Sequence, residues 1–246
     1  EKGSFFLKVN RSELIDMFEA EYFGLTEIQK AAAIKTPQPI LFGKYDVHAF
    51  ILMEYCPMGG RGDWSLMGRQ LAEMHQHTQA KHGWVRNNTI GATPQLNPET
   101  SDWLEFYGKH RLGFQVDLAR SKGLALHQAE DLMDKLEVFF EELPNPSLLH
   151  GDLWSGNVSF AQDLDPIIFD PATHYGDREC DLAMTELFGG FPAGFYNGYN
   201  EVWSIPSGYE RRRDLYQLYH ILNHYNLFGG GYGEQSERLI QNLIDE

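Results

Sequence analysis

No apolar run in this sequence of 246 residues approaches the roughly 20 that span a bilayer, which argues against a membrane-embedded protein. Cysteine is nearly absent. Cys56 and Cys180 stand far apart in a chain with no signal-peptide pattern, so the expectation is free thiols in a cytoplasmic, reducing setting rather than a disulfide framework. Positive charge is also scarce. Twenty Lys and Arg against 35 Asp and Glu leave a formal charge of -15, which repels polyanions and disfavours nucleic acid or an anionic membrane as the main partner. A small anion held by local groups remains compatible with that balance. No repeat at a period of about 20 to 50 residues and no low-complexity tract occurs, which argues against a repeat architecture.

What is present is globular: 42% hydrophobic and 13% aromatic residues, and length enough for one large domain or two smaller ones sharing a cleft. Two runs rich in aromatic and branched residues, "SFFLKV" (4–9) and "AFILMEY" (49–55), read as strands. Between them Leu14, Phe18, Tyr22 and Leu25 recur at helical spacing. They predict a helix over 12–33 with Ser12 as N-cap, ended by "KTPQP" because proline removes a donor and biases its predecessor toward extended geometry. The opening therefore reads strand, helix, strand.

The Gly- and Pro-rich connector "CPMGGRGD" (56–63) marks a change of character. Apolar spacing beyond it predicts helices over 65–78, 101–121, 125–143, 191–203, 209–227 and from 234 onward, with another starting at Glu179. One extended patch interrupts them, "LLHGDLWSGNVSF" followed by "DPIIFDPA", whose apolar runs are too short for helices. The expectation is an α+β fold of two lobes, a small β-rich one over 1–57 and a larger, mostly helical one over 58–246.

The chemistry concentrates in the extended patch. Asp152 and Asn157 lie five residues apart in a loop, and Asp170 follows the apolar run "PIIF", where a strand would deliver it to a cleft edge. Two carboxylates and one amide oxygen are hard ligands of the kind Mg²⁺ accepts alongside water and phosphate oxygens. In phosphoryl transfer one carboxylate orients or deprotonates the attacking hydroxyl while metal ions neutralise charge on the phosphate. Protein kinases use an Asp and an Asn separated by four residues, then a metal-binding Asp on a second loop. "DLWSGN" has that spacing and "FDPA" stands where the second loop would be. Lys8, on the first strand, and Glu21, on the following helix, supply an ion pair for the α- and β-phosphates, and "ILMEYCP" resembles a hinge whose backbone binds adenine. Any one of these is an ordinary turn or surface residue; their order along the chain carries the reading.

With these residues in place, the chain resembles the fructosamine kinase, or ketosamine-3-kinase, family. This is a branch of the protein-kinase-like phosphotransferases related to aminoglycoside and choline kinases. The likeness runs from "FFLKVNRS" to "LFGGGYG" and is most specific in "HGDLWSGN", "IIFDPATHYGDRECDLAM", "ELFGGFP" and "YQLYHILNHYNLFG". It implies ATP- and Mg²⁺-dependent phosphorylation of the sugar O3 of ketosamines, on small glycated amines or glycated protein lysines, giving an unstable product and deglycation. It also implies roles: Asp152 as catalytic base, Asn157 and Asp170 as Mg²⁺ ligands, Lys8 with Glu21 as the nucleotide pair, and Met53, Glu54 and Cys56 around adenine, the last two through backbone groups. Trp154 would offer a flat face to the sugar ring or else be a core tryptophan. His224 would touch substrate or else be a core histidine. His150 and Asp181 would give structural support to the catalytic loop. Glu19 competes with Glu21 for the lysine, but Leu25 follows Glu21 four residues on, as in the corresponding kinase helix.

The front of the chain departs from the pattern, because no glycine-rich loop precedes the lysine strand. Either the protein continues upstream or it binds ATP poorly, and the resemblance favours the former. The residues themselves leave open a kinase for another hydroxyl acceptor, aminoglycoside- or choline-like, and a nucleotide-poor regulatory binding protein. Other motifs carry less. "HILNH" has Ile221 where a zinc-protease helix needs Glu, His75 and His77 are too close in sequence to share a helix face, "RGD" reads as connector, and "GGG" (229–231) lacks a phosphate-loop lysine.

Overall fold

In a computed structural model, residues 4–59 and 61–245 are described; residues 1–3 of the expected first lobe, Gly60 of the connector and Glu246 lie outside that set. The first lobe is an antiparallel sheet of β1 (Phe5–Arg11), β2 (Pro39–Tyr45) and β3 (His48–Glu54) in the order β1-β3-β2, covered by α1 (Ile15–Ala31). Alternation along β3 turns Ala49, Ile51 and Met53 inward, where they pack with Phe18 and Leu25 of α1. Two expectations need correction here. β2 was hidden among prolines; it tolerates Pro39 because it is an edge strand, and it reaches β3 through a two-residue turn with Asp46 at φ 52°. Ser12 does not cap the helix. It sits in a 3₁₀ turn, Ser12–Leu14, with its amide donated to the Val47 carbonyl at 2.9 Å, so the sheet takes the residue that the helix was expected to use.

The second lobe opens with β4 (Met58–Gly59) and α2 (Trp64–His75), whose N-cap Asp63 accepts the Leu66 amide at 2.9 Å. A hairpin absent from the expected elements follows, β5 (Asn88–Ile90) and β6 (Thr93–Gln95). α3 (Trp103–Tyr107) and α4 (Phe114–Ser121) are joined through a π-helical stretch at Gly108–Gly113, so the expected helix over 101–121 is present with a widened middle. The expected helix over 125–143 is not. Only α5 (Ala129–Met133) and a 3₁₀ turn at Leu136–Phe139 form. The extended patch supplies β7 (Ser147–Leu149), β8 (Val158–Ala161), β9 (Pro166–Ile168) and β10 (His174–Gly176), in two small sheets ordered β4-β8-β9 and β7-β10. The chain ends in α6 (Glu179–Glu186), α7 (Ala193–Val202), α8 (Tyr209–Phe228) and α9 (Tyr232–Asp245). Arg211 and Arg212 of α8 explain the broken helix: they donate to the carbonyls of Val138 and Phe139 at 3.2 and 3.3 Å, taking acceptors that a continuing helix would have used.

Trp103, Phe106, Leu112, Val116, Leu215 and Leu222 form one buried cluster of this lobe, and Met67, Leu71, Leu148, Leu153, Leu182 and Phe195 form another beneath the β7–β8 loop. Each such side chain contributes about 1.5–3 kcal/mol on burial. No helix among the described residues is long and apolar enough to cross a membrane, and both cysteines are free thiols.

Burial also holds several histidines neutral: His82 is lowered to about 4 and His220 to about 3, with His150 and His174 below the usual value for the same reason. Unfolding restores their ordinary pKa near 6.5, so between roughly pH 6.5 and 4 the unfolded chain binds more protons. The contribution of these histidines to stability is therefore full above about pH 6.5 and falls as pH drops, by up to about 1.4 kcal/mol per pH unit for each, while the buried carboxyls of Asp152 and Glu179, lifted to about 7, work the other way. Calorimetric melting from pH 7.5 to 5 should show Tm changing with a less steep fall in His82→Gln than in the wild type.

Candidate active site

After β7 the backbone turns sharply at His150 and Gly151. Gly151 has φ 83°, and a Cβ there would overlap the Ala172 carbonyl, so this turn needs glycine. Asp181, in the first turn of α6, accepts the His150 amide at 2.7 Å on one oxygen and the Gly151 amide at 2.8 Å on the other. Burial pushes its carboxyl up, but hydrogen bonds from His75 and the Gly151 amide outweigh that and hold it below the usual aspartate value. The buried His150 ring ties two loops together. Its Nε2–H donates to the Phe169 carbonyl at 2.9 Å and its Nδ1 accepts the Asp152 amide at 3.2 Å. The Phe169 amide donates to the Asn157 carbonyl at 3.1 Å, so Asp152, Asn157 and Asp170 are set by one backbone frame.

Asp152 lies at the floor of the cleft, and burial lifts its carboxyl to about 7 against the hydrogen bond from Asn157, with Asp181 and Asp170 adding to the rise. Such a group exchanges a proton near neutrality. Asn157 donates its Nδ2 to the Asp152 carbonyl at 2.9 Å and to the Asp152 carboxylate at 3.3 Å. Lys8 donates to Glu21 at 2.7 Å and also pairs with Asp170, which adopts a left-handed φ of 58°. Burial works to lower the Lys8 ammonium, yet Glu21 and Asp170 together hold it above the usual lysine value. Burial pushes the Glu21 carboxyl up against the pull of Lys8. Glu19, the competing glutamate, instead pairs with Arg86 at 3.2 Å.

Two cavities open from this centre. One, of about 330 Å³, is lined by Phe6, Met53, Tyr55, Cys56, Met58 and Phe169, along with Lys8, Pro37, Glu54 and Asp170. It brings together the residues expected around adenine. The Glu54 amide is already donated to the Gln38 carbonyl at 2.9 Å, whereas among the described residues no group hydrogen-bonds the Cys56 amide. Burial, then Glu54, raise the Cys56 thiol, so it stays protonated. The second cavity, of about 310 Å³, is lined by Asp152, Asn157, Trp154, Glu21 and Asn88, among others, and shares Lys8 and Asp170 with the first.

Trp154 lines the second cavity and is 38% exposed, so it is not a core tryptophan. Its indole lies over Gly156, where a Cβ would overlap the ring. His224 is half-buried, with Nδ1 donating to the His220 carbonyl at 2.8 Å, and reaches Trp154 only through Phe188. It does not line the cavity itself.

A family model described as fructosamine kinase matches residues 1–246. This chain belongs to that family. Over 98% of its length it is 45% identical to a probable ketoamine kinase of Synechocystis sp., covering 83% of that protein, and 44% identical to a chloroplastic protein-ribulosamine 3-kinase of Arabidopsis thaliana, covering 76%. The crystal structure of a putative fructosamine-3-kinase from Haemophilus somnus superposes with a TM-score of 0.91 at 29% identity, over 98% of this chain and 83% of that one. The protein-kinase-like phosphotransferase fold is thereby common to this chain and its structural neighbours.

Sequence reading missed several residues of the site. His75, set aside there as half of a failed metal pair, donates Nε2–H to Asp181 at 3.2 Å and accepts the Tyr199 hydroxyl at 2.8 Å. Asn88 and Thr89 reach the cavity from the unpredicted hairpin. Among the described residues no cluster of three His, Cys, Asp or Glu side chains could hold a metal. The donor set fits Mg²⁺ nonetheless, since that ion takes one or two carboxylates and fills its shell with water and phosphate oxygens, and Asp170 with the Asn157 amide oxygen offers such a set.

Removing the Asp181 carboxylate strands two buried amides and His75. Asp181→Ala should cost about 3 kcal/mol or more, lowering Tm by about 6–12 °C in a chain of this size, while Asp181→Asn should lose less; differential scanning calorimetry measures both.

Proposed function

We propose that this fructosamine kinase transfers the γ-phosphoryl group of ATP to the O3 hydroxyl of ketosamines, carried by small amines or by protein lysines, in the cytoplasm. The observation that carries the reading is the meeting of the two cavities at Lys8 and Asp170, with Asp152 on the acceptor side. An apolar slot, a cation and carboxylate at the junction, and a polar second cavity give separate places to a purine, its phosphates and a sugar.

In this reading the Cys56 amide and the Glu54 carbonyl hold adenine between Phe6, Met53 and Phe169. Lys8, oriented by Glu21, binds phosphate oxygens; as it turns to them it releases Asp170. Asn157 and Asp170 would hold Mg²⁺, which supplies charge neutralisation on the phosphates. Asp152 accepts the proton of the attacking hydroxyl, and Asn157, bonded to its carboxylate and carbonyl, keeps it aimed. Trp154 packs its exposed face against the sugar. The relatives named for ketoamine and ribulosamine substrates support this acceptor class.

Asp152→Asn is the test. Turnover of ATP with fructosyl-lysine should fall at least about 100-fold, the lower end of general-base effects, while ATP with Mg²⁺ still raises Tm. Activity at the wild-type level in that variant would overturn the assignment.

A further inference from the structure

We propose that Thr89, the middle residue of β5, is a specificity residue of the acceptor cavity: its hydroxyl hydrogen-bonds a hydroxyl on the C4–C6 end of the sugar, so that acceptors lacking that group are disfavoured. This inference rests on the ketosamine reading above and names what separates a polyhydroxy acceptor from a choline-like alcohol with a single hydroxyl.

The fold leaves this group free. Thr89 brings the one side-chain hydroxyl among the described residues that line the cavity, and it is half-buried with no hydrogen-bond partner among the described residues. The charged and amide side chains around it are already engaged. Lys8 pairs with Glu21 and Asp170, and Asn157 is bonded to Asp152. Asn88, beside Thr89, is taken up by the fold itself: its amide donates to the Thr173 carbonyl at 2.7 Å, and its oxygen accepts Gln95 at 2.8 Å and Asn97 at 3.0 Å.

The same bonds hold the hydroxyl at a fixed place relative to Asp152. Gln95, on the paired strand β6, donates Nε2 to the Ala172 carbonyl at 3.0 Å, and the Ala172 amide donates to the His150 carbonyl at 2.8 Å. The hairpin is thereby bonded to the backbone frame that carries Asp152. Its far side is anchored as well, since Tyr219 donates its hydroxyl to Gln95 at 2.7 Å and Arg111 donates to Asn97 at 2.6 Å. Asn88, Gln95, Asn97, Arg111 and Tyr219 are all more than nine-tenths buried. A buried polar network of this kind is stiff, because a shift of one member unpairs another out of reach of water. Thr89 therefore stands on a rigid mount, as a group that reads a substrate must.

Size and direction agree with the assignment. A cavity of about 310 Å³ is about 8 Å across if taken as a sphere, and a six-carbon chain at ordinary bond lengths spans about 6 Å. The hydroxyls of a sugar held at Asp152 thus come within hydrogen-bond reach of the other walls. The amine end has to leave by the mouth, because a protein lysine cannot enter a space of that size, and the C4–C6 end then lies between the walls. A sugar hydroxyl that loses its water there without a new partner opposes binding, and the Thr89 hydroxyl offers it both a donor and an acceptor.

The test measures kcat/KM of the wild type, Thr89→Val and Thr89→Ser with fructosyl-lysine and its 4-deoxy, 5-deoxy and 6-deoxy counterparts, with melting curves to verify folding. Valine keeps the branched shape without the hydroxyl. Thr89→Val should lower kcat/KM for fructosyl-lysine about tenfold, the loss of one neutral hydrogen bond, and Thr89→Ser should restore most of it. In the wild type one deoxy counterpart should show a comparable loss, and on that counterpart alone Thr89→Val should have no further effect. Equal loss in Thr89→Val on all four sugars, or no loss on any, overturns the role of Thr89 while ketosamine phosphorylation stands. A folded wild type that binds ATP yet phosphorylates no ketosamine overturns the function reading and this inference with it.

Discussion

The carboxylate of Asp181 is the interaction on which the site depends. Taking a charged group out of water costs several kcal/mol unless its oxygens are fully satisfied, and here they are, by two amides of the catalytic turn and by His75. The same bonds that make its burial tolerable fix the backbone on which Asp152 sits. His75 in turn accepts the Tyr199 hydroxyl, which also receives Arg178 at 3.1 Å, so the turn is anchored to α2, α6 and α7 together. A network of this kind stays stiff because any one rotamer change leaves another buried polar group unpaired.

A comparable constraint holds the first lobe in place. α1 carries Glu21 toward Lys8, but its other side is fastened to the second lobe. Arg86 pairs with Glu19 and stacks on Phe23 at 4.7 Å, and the Tyr175 hydroxyl donates to Glu27 at 3.0 Å. Gly24 lies so close to Thr173 that an added Cβ would stand 2.9 Å from its hydroxyl. With the helix docked this way, the Lys8–Glu21 pair is assembled without waiting for a nucleotide. Less ordering is then needed when the phosphates arrive.

The loop of Asp152 and Asn157 was legible as a candidate site because phosphoryl transfer demands particular residue types at fixed local spacing, and these two display that spacing within six residues. Lys8 and Glu21 were legible for a related reason, since a strand and the helix after it place them on facing sides. What escaped was set over long sequence distances or in very short elements. His75 meets Asp181 across 106 residues, and Arg212 reaches the Phe139 carbonyl across 73, so nothing local foretells the clamp or the broken helix. The β5–β6 hairpin has three residues per strand, too few for alternation to show. Ser12 looked like a helix cap because the pull of Val47, in the turn between β2 and β3, is invisible in its own segment.

Electrostatics connects the acceptor to the rest. Lys8 is the one cation lining the two cavities among the described residues, against Glu21, Glu54, Asp152 and Asp170. A polyphosphate meets net negative charge there unless a divalent ion accompanies it, so the cleft by its own composition favours a metal-bound nucleotide over a free one. The same carboxylates draw a cationic acceptor and give a neutral sugar no such pull.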